Sequence, residues 1–203
     1  MAWTNEEPSR LRFRPAGDDD LTDVLELFRE STSGVLHAAW GEEGVRERLK
    51  SRETSTGIQS CTVVEYGGAV IGHEISYPDA ARSSNETTQS EAANLLRPFR
   101  LLRLPDSWYL SSIAVSRDHR RRGIGSRLLH ASALKAAAAG YESLSLHVFA
   151  EKKPALGLYA FAGMSEVQRM TLPPHPRVTA DSELLLQTGA ISQILSRLGP
   201  ISV

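Results

Sequence analysis

Apolar residues along this chain follow two rhythms, one of helices and one of strands. Leu21, Val24, Leu25 and Phe28 fall at i, i+3, i+4 and i+7, one apolar face of a helix. Asp18, Asp19 and Asp20 supply N-cap chemistry just before it, and Gly34 ends it or lies just past its end. Val45 and Leu49 predict a second, short helix over about 42–52. Residues 11–15 read as a short strand closed by Pro15. Two β-rich runs, 61–66 and 69–75, flank Gly67-Gly68, a pair suited to the positive φ angles of a tight hairpin. Residues 78–106 are less regular, with a polar loop at 83–88 and a helix over 91–102 that Pro98 limits or kinks. They read as an insertion over one face or an interface arm.

The second half is more regular. Residues 108–115 form a strand and 116–122 an arginine-rich turn. Ile124, Leu128, Ala131, Leu134 and Ala138 then trace an amphipathic helix that Gly140 stops. Leu144, Leu146 and Val148 alternate along the next strand. A helix over 154–162 has proline at its start and Gly163 after its end. Strands at 165–172 and 182–187 flank a proline-rich loop, and 191–198 reads as a terminal helix. The order β-α-α-β-β-(insertion)-β-α-β-α-β-β describes an α/β mixture with a front hairpin and a central β-α-β unit. One domain is expected over 11–188, between an N-terminal tail (1–10) and a C-terminal tail or short helix (189–203).

Composition narrows the classes of function. The 203 residues carry 23 Lys+Arg against 24 Asp+Glu, a formal charge of -1, which disfavours a partner held by bulk charge such as nucleic acid or an anionic membrane. Cys61 is the only cysteine, so no intrachain disulfide or thiolate cluster can form, and no clustered ligand set points to a metal. A single thiol, no basic-then-apolar leader at the N-terminus and no long apolar run lead to the expectation of a cytoplasmic protein.

The candidate chemistry sits in Ile113, Ala114, Val115, the turn through Arg120, Arg121, Arg122 and Gly123, and the helix start Ile124-Gly125-Ser126. A helix N-terminus presents N–H groups without internal acceptors, and its dipole favours an anion. Glycine lets backbone approach a phosphate closely, and arginine adds charge-assisted bonds. The segment therefore reads as a pyrophosphate cradle. It is neither a P-loop nor a dinucleotide fingerprint, whose third glycine position holds Leu128.

Arg120-x-x-Gly123-x-Gly125 resembles the acyl-CoA-binding motif of the GNAT N-acetyltransferase superfamily. The preceding strand, Leu110-Ser111-Ser112-Ile113-Ala114-Val115, and the following helix and strand match that family's order. So does the later segment Lys152-Lys153-Pro154-Ala155-Leu156-Gly157-Leu158-Tyr159, which stands where the family has Asn-x-x-Ala-x-x-Leu-Tyr. Lys152 replaces the asparagine that supports the pantetheine arm, with reach to a phosphate as its alternative role, and Met164 replaces an aromatic residue.

The resemblance implies a mixed, mostly antiparallel central sheet with a splayed central pair of strands, flanked by helices. It implies that acetyl-CoA lies with its pantetheine along the backbone of Ile113 and Val115, near Ala155, and its pyrophosphate on the amides of residues 120–126. It implies N-acetyl transfer to a primary amine of a small molecule or peptide by direct attack, with Tyr159 as general acid. Glu74 is the first candidate for the base, with His147 or an ordered water as alternatives. Homodimerisation is common in that family. A non-catalytic CoA-binding regulatory module is the alternative function, and a nucleic-acid-binding regulator using the basic turn is a third reading.

Overall fold

In the computed structural model the described residues are 11–51, 57–81, 91–172, 175, 178 and 183–199. The polar loop expected at 83–88, the 1–10 tail and most of the proline-rich loop lie outside them. The strands are β1 (Arg12–Pro15), β2 (Cys61–Tyr66), β3 (Ala69–Pro78), β4 (Trp108–Val115), β5 (Ser143–Phe149), β6 (Ser165–Thr171) and β7 (Glu183–Ala190). The helices are α1 (Leu21–Ser31), α2 (Val35–Lys50), α3 (Glu91–Leu101), α4 (Ile124–Ala138), α5 (Lys153–Phe161) and α6 (Ile191–Leu198). The strands make one seven-stranded sheet in the order β1-β2-β3-β4-β5-β7-β6. Only the central β4–β5 pair is parallel.

The expected boundaries shift most around α2, while β3 and β7 each run three residues further than the sequence pattern predicts. The second helix starts seven residues earlier than the Val45/Leu49 spacing predicts, at Val35, and is broken at Gly41, where φ is 72° and ψ 173°. Gly34 serves as the N-cap of α2 rather than the end of α1. Helices α1, α2 and α3 cover one face of the sheet: Val24, Leu25 and Phe28 pack on Val63, Ile75 and Tyr109, while Leu95, Leu96 and Leu102 pack on Phe149, Leu184 and Leu186. The other face carries α4, α5 and α6, through Leu129, Ala133, Tyr159 and Ile194 on Leu144, Leu146 and Leu185. The part of the segment between β3 and β4 that is described from residue 91 on thus lies over one face. It is tied at its root, where buried Asp79 accepts from Arg103 Nε (3.0 Å) and donates its N–H to Ser107 O (2.9 Å).

The central pair departs from regular pairing. Trp108, Tyr109 and Leu110 pair with Leu144, Ser145 and Leu146, and the pairing stops there. At the same point Ile75 of β3 opposes Ser112 while Ser76 opposes Leu110, so Ser111 is an extra residue, a β-bulge. The bulge turns the second half of β4 away from β5 and opens a wedge. β3 and α1 hold this half in place. His73 Nε2 donates to Ser112 Oγ (2.7 Å), Ser112 Oγ lies 2.8 Å from Ser31 Oγ, and Ser31 Oγ donates to Phe28 O (2.8 Å).

Two polar groups are buried in this support. Glu74, fully buried, faces α4, where Lys135 Nζ donates to Glu74 Oε1 (2.6 Å) and to Ser60 O (2.9 Å). Replacing Lys135 by methionine leaves that carboxylate unpaired. Because Lys135 is 32% exposed, the expected loss is on the order of 2–4 kcal/mol, somewhat less than for breaking a fully buried pair. Urea denaturation measures it, and the Glu74→Met/Lys135→Met double variant should recover most of it. His73 is held neutral by burial, its pKa lowered to about 3, while in the unfolded chain it protonates near 6.5. Between these values the unfolded state binds more protons, so stability falls as pH drops from about 6.5 to about 3, by at most ~1.4 kcal/mol per pH unit. Denaturation midpoints across that window should fall less steeply in His73→Gln.

Candidate active site

Strand register decides which backbone groups line the wedge. Ser116 N–H donates across to Ile71 O (2.8 Å), so by alternation Ala114 and Ser112 turn their peptide groups toward β3, and Ile113 and Val115 turn theirs the other way. Val115 O indeed accepts from Arg120 Nε (2.9 Å) on that side. Ala114, expected among the lining groups, instead gives its amide to β3. Ile113 and the N–H of Val115 present the free edge along which an extended polar chain could add as a further strand.

The wedge ends at the start of α4. Arg121 (φ 58°) and Gly123 (φ 76°) both adopt the left-handed conformation, and alternation of hand along a turn gathers successive N–H groups into a concave nest. Arg127 N–H is the first to reach a helical acceptor, Gly123 O at 3.1 Å, leaving those of Ile124, Gly125 and Ser126 at the open helix end. Ile124 contributes only backbone, since its side chain is buried with Leu128 and Val64. A Cβ on Gly125 would meet nothing closer than Leu158 Cδ2 at 3.5 Å, an ordinary contact. The protein alone does not demand glycine there, whereas an anion lying against the nest would. Arg120 is turned back to Val115 and to Glu30, which also binds Arg117 (3.0 Å). Arg121 is exposed and Arg122 half-buried. Across the wedge, the carbonyl of Lys152 accepts from Ala155 N and Leu156 N (both 3.0 Å) and so caps α5, with Ala155 packed partly into the core.

Among the candidate proton carriers, Tyr159 on α5 is buried against Leu110, Leu146 and Val148, and desolvation raises its phenol pKa above the usual value. It therefore keeps its proton at neutral pH and can only donate. Glu74 faces α4 and is engaged there by Lys135. His147 stands elsewhere, at the first β5 position beyond the last β4–β5 pair and on the α1–α3 face. Its Nε2 lies 2.9 Å from Leu102 O, a pure acceptor, so Nε2 carries the hydrogen and Nδ1 the lone pair. Nδ1 in turn faces Tyr109 Oη at 2.9 Å. Phe99 closes edge-on over the imidazole, with ring centroids 5.3 Å apart. The sequence pointed to His147 only as a lone histidine and gave no sign of Tyr109 or Leu102; the three are joined by pairing and by the packing of α3.

Among the described residues no group of three or more His, Cys, Asp or Glu is placed to hold a metal ion, and no helix is long and apolar enough to cross a membrane.

Solved structures with this fold are numerous. One described as an acetyltransferase aligns with 89% of this chain and 99% of its own at 23% identity, TM-score 0.61. The ribosomal-protein-S18-alanine N-acetyltransferase of Escherichia coli aligns over 89% of this chain and 94% of its own at 17% identity, TM-score 0.60. A GCN5-related N-acetyltransferase of Kribbella flavida aligns over 90% and 99% at 18% identity, TM-score 0.60. At such identities the likeness concerns the fold. No curated protein sequence matches the chain. The sequence model of the acetyltransferase (GNAT) family matches residues 21–164, which span the bulged strand, the amide nest and α5, and the chain belongs to that family.

Proposed function

We propose that this protein transfers an acetyl group from acetyl-CoA to a primary amine of a small molecule or peptide, by direct attack and without a covalent enzyme intermediate. The observation that carries this reading is the wedge itself: two outward-turned peptide groups, Ile113 and Val115, lead to a nest of amides at the start of α4. A pantetheine chain needs the first and a diphosphate needs the second. In this reading the Ile113 N–H also faces the thioester oxygen, and one such donor is commonly worth about 2.7–4 kcal/mol to the developing oxyanion. Lys152, at the mouth of the wedge, stands where the family's asparagine would serve.

The attacking amine must be neutral and must lose a proton as the new bond forms. His147 is the group best suited to receive it, through Tyr109, because Leu102 fixes its tautomer with Nδ1 as the base. Glu74 is less suited, being buried on the opposite face with Lys135. Tyr159 serves as the acid toward the departing thiolate.

Thiol release from acetyl-CoA in the presence of an amine panel tests the activity. A protein that binds CoA yet releases no thiol with any amine would instead be the regulatory module. Gly125→Ala separates ligand from fold: helix propensity should raise stability by up to about 1 kcal/mol, while calorimetry should show CoA affinity falling by about tenfold or more. Steady-state kinetics test the proton carriers. His147→Ala should lower kcat by about a hundredfold at pH 7, a loss that shrinks as pH rises and the free amine becomes neutral unaided. Tyr159→Phe should lower kcat at every pH, and the parent should show no alkaline loss from this phenol up to about pH 10, since burial raises its pKa.

A further inference from the structure

A cleft of about 640 Å³ opens between the C-terminal ends of β4 and β5, on the side roofed by α1 and α2. Its walls carry Arg29, Arg117, Arg120 and Lys152 against Glu30 and Glu42, four cations to two carboxylates. Existing pairs absorb part of this charge. Arg29 is paired with Glu42, and the two arginines that follow β4 share the single carboxylate of Glu30. Lys152 has no ion-pair partner among the described residues. The cleft therefore holds two positive charges more than its own carboxylates balance.

His37, on α2, lines the same cleft. Both its ring nitrogens are buried without a hydrogen-bond partner among the described residues. Burial, reinforced by Arg29, holds its pKa below the ordinary histidine value, so it adds no charge to the cleft at neutral pH. The lining shares only Arg120 with the cradle expected over 120–126 and includes none of the nest amides at 124–126, so an anion held here is distinct from one held by the amide nest.

We infer that this cleft receives the acceptor, and that the acceptor is a small amine that also carries an anionic group, either a carboxylate, as in an amino acid, or a phosphonate. The inference rests on the acetyl-transfer reading above and narrows it. The anion lies against Lys152 and the surplus guanidinium charge, and the amine points inward along β5 toward His147. A volume of this size suits a small molecule beside the thioester arm. A polyamine would set its own cations against uncompensated positive charge, and the site selects against it.

The test pairs amines that differ only in that charge: L-amino acids and aminoalkylphosphonates beside their neutral carboxamides or esters, with spermidine as a polycation. Thiol release is compared at equal concentrations of neutral amine and saturating acetyl-CoA. The anionic member of each pair should exceed its neutral counterpart in kcat/KM by about tenfold or more, the effect of one charge-assisted hydrogen bond. Lys152→Gln should erase that preference within each pair, whatever it does to KM for acetyl-CoA. Equal rates within pairs, or a Lys152→Gln variant that keeps its preference, overturns the inference. Calorimetric titration of the same compounds into protein saturated with CoA separates this claim from the transfer reading. Lys152-dependent binding of the anionic amines, with no thiol release from any amine, upholds the cleft and contradicts the transferase. Thiol release that favours the neutral amines does the reverse.

Discussion

The interruption of a single strand pair organises this molecule. β4 and β5 are joined by three residue pairs and then part, at the point where Ser111 is inserted into β4. A buried sheet centre with unpaired peptide groups is costly, and chains avoid it unless something else meets those groups. Here the cost is sustained by ordinary structure on either side. β3 keeps the outer edge of β4 paired on both sides of the bulge, and the His73–Ser112–Ser31 chain anchors it to α1. The inner edge, at Ile113 and Val115, is what remains for a ligand.

The surrounding elements are arranged about that opening. α4 brings a helix start to one end, with two left-handed residues gathering its free amides. α5 brings Tyr159 from one face of the sheet. From the other face, the segment between β3 and β4 delivers Leu102 to His147 and so selects which imidazole nitrogen keeps its lone pair. That segment, the least regular in the sequence, thereby gains a chemical role in the proposed reaction: it holds the tautomer of the proposed base. The α1–α2 roof supplies most of the remaining charge pattern at the mouth.

Much of this was legible in the sequence, for reasons that differ by element. The 21–28 helix, the Gly67-Gly68 hairpin and α4 announce themselves because periodicity and turn chemistry are local. The helix start expected to form the cradle is legible too, since a glycine-rich turn after a strand is written in consecutive residues. The sequence pattern starts α2 too late because Gly41 and Gly44 interrupt it, whereas packing of Val35 and Leu36 extends the helix. The bulge left no trace, because Ser111-Ser112 looks like any polar pair in a strand and becomes a bulge only against the register of β3. Tertiary partners were out of reach as well. Glu74 reads as a free carboxylate until Lys135, 61 residues away, is seen upon it. Tyr109, His147 and Leu102 come from three separate elements, with no spacing to link them.

The proposed account stands or falls on whether the unpaired edge of β4 and the amides of the α4 start are where coenzyme A lies. Residue-resolved hydrogen exchange, with and without saturating CoA, reads those groups directly. The account predicts that CoA slows exchange at Ile113, Val115, Ile124, Gly125 and Ser126, while Ser112 and Ala114, already bonded to β3, change little. Exchange at those five positions that is indifferent to bound CoA, with protection appearing on another face of the sheet, would contradict it.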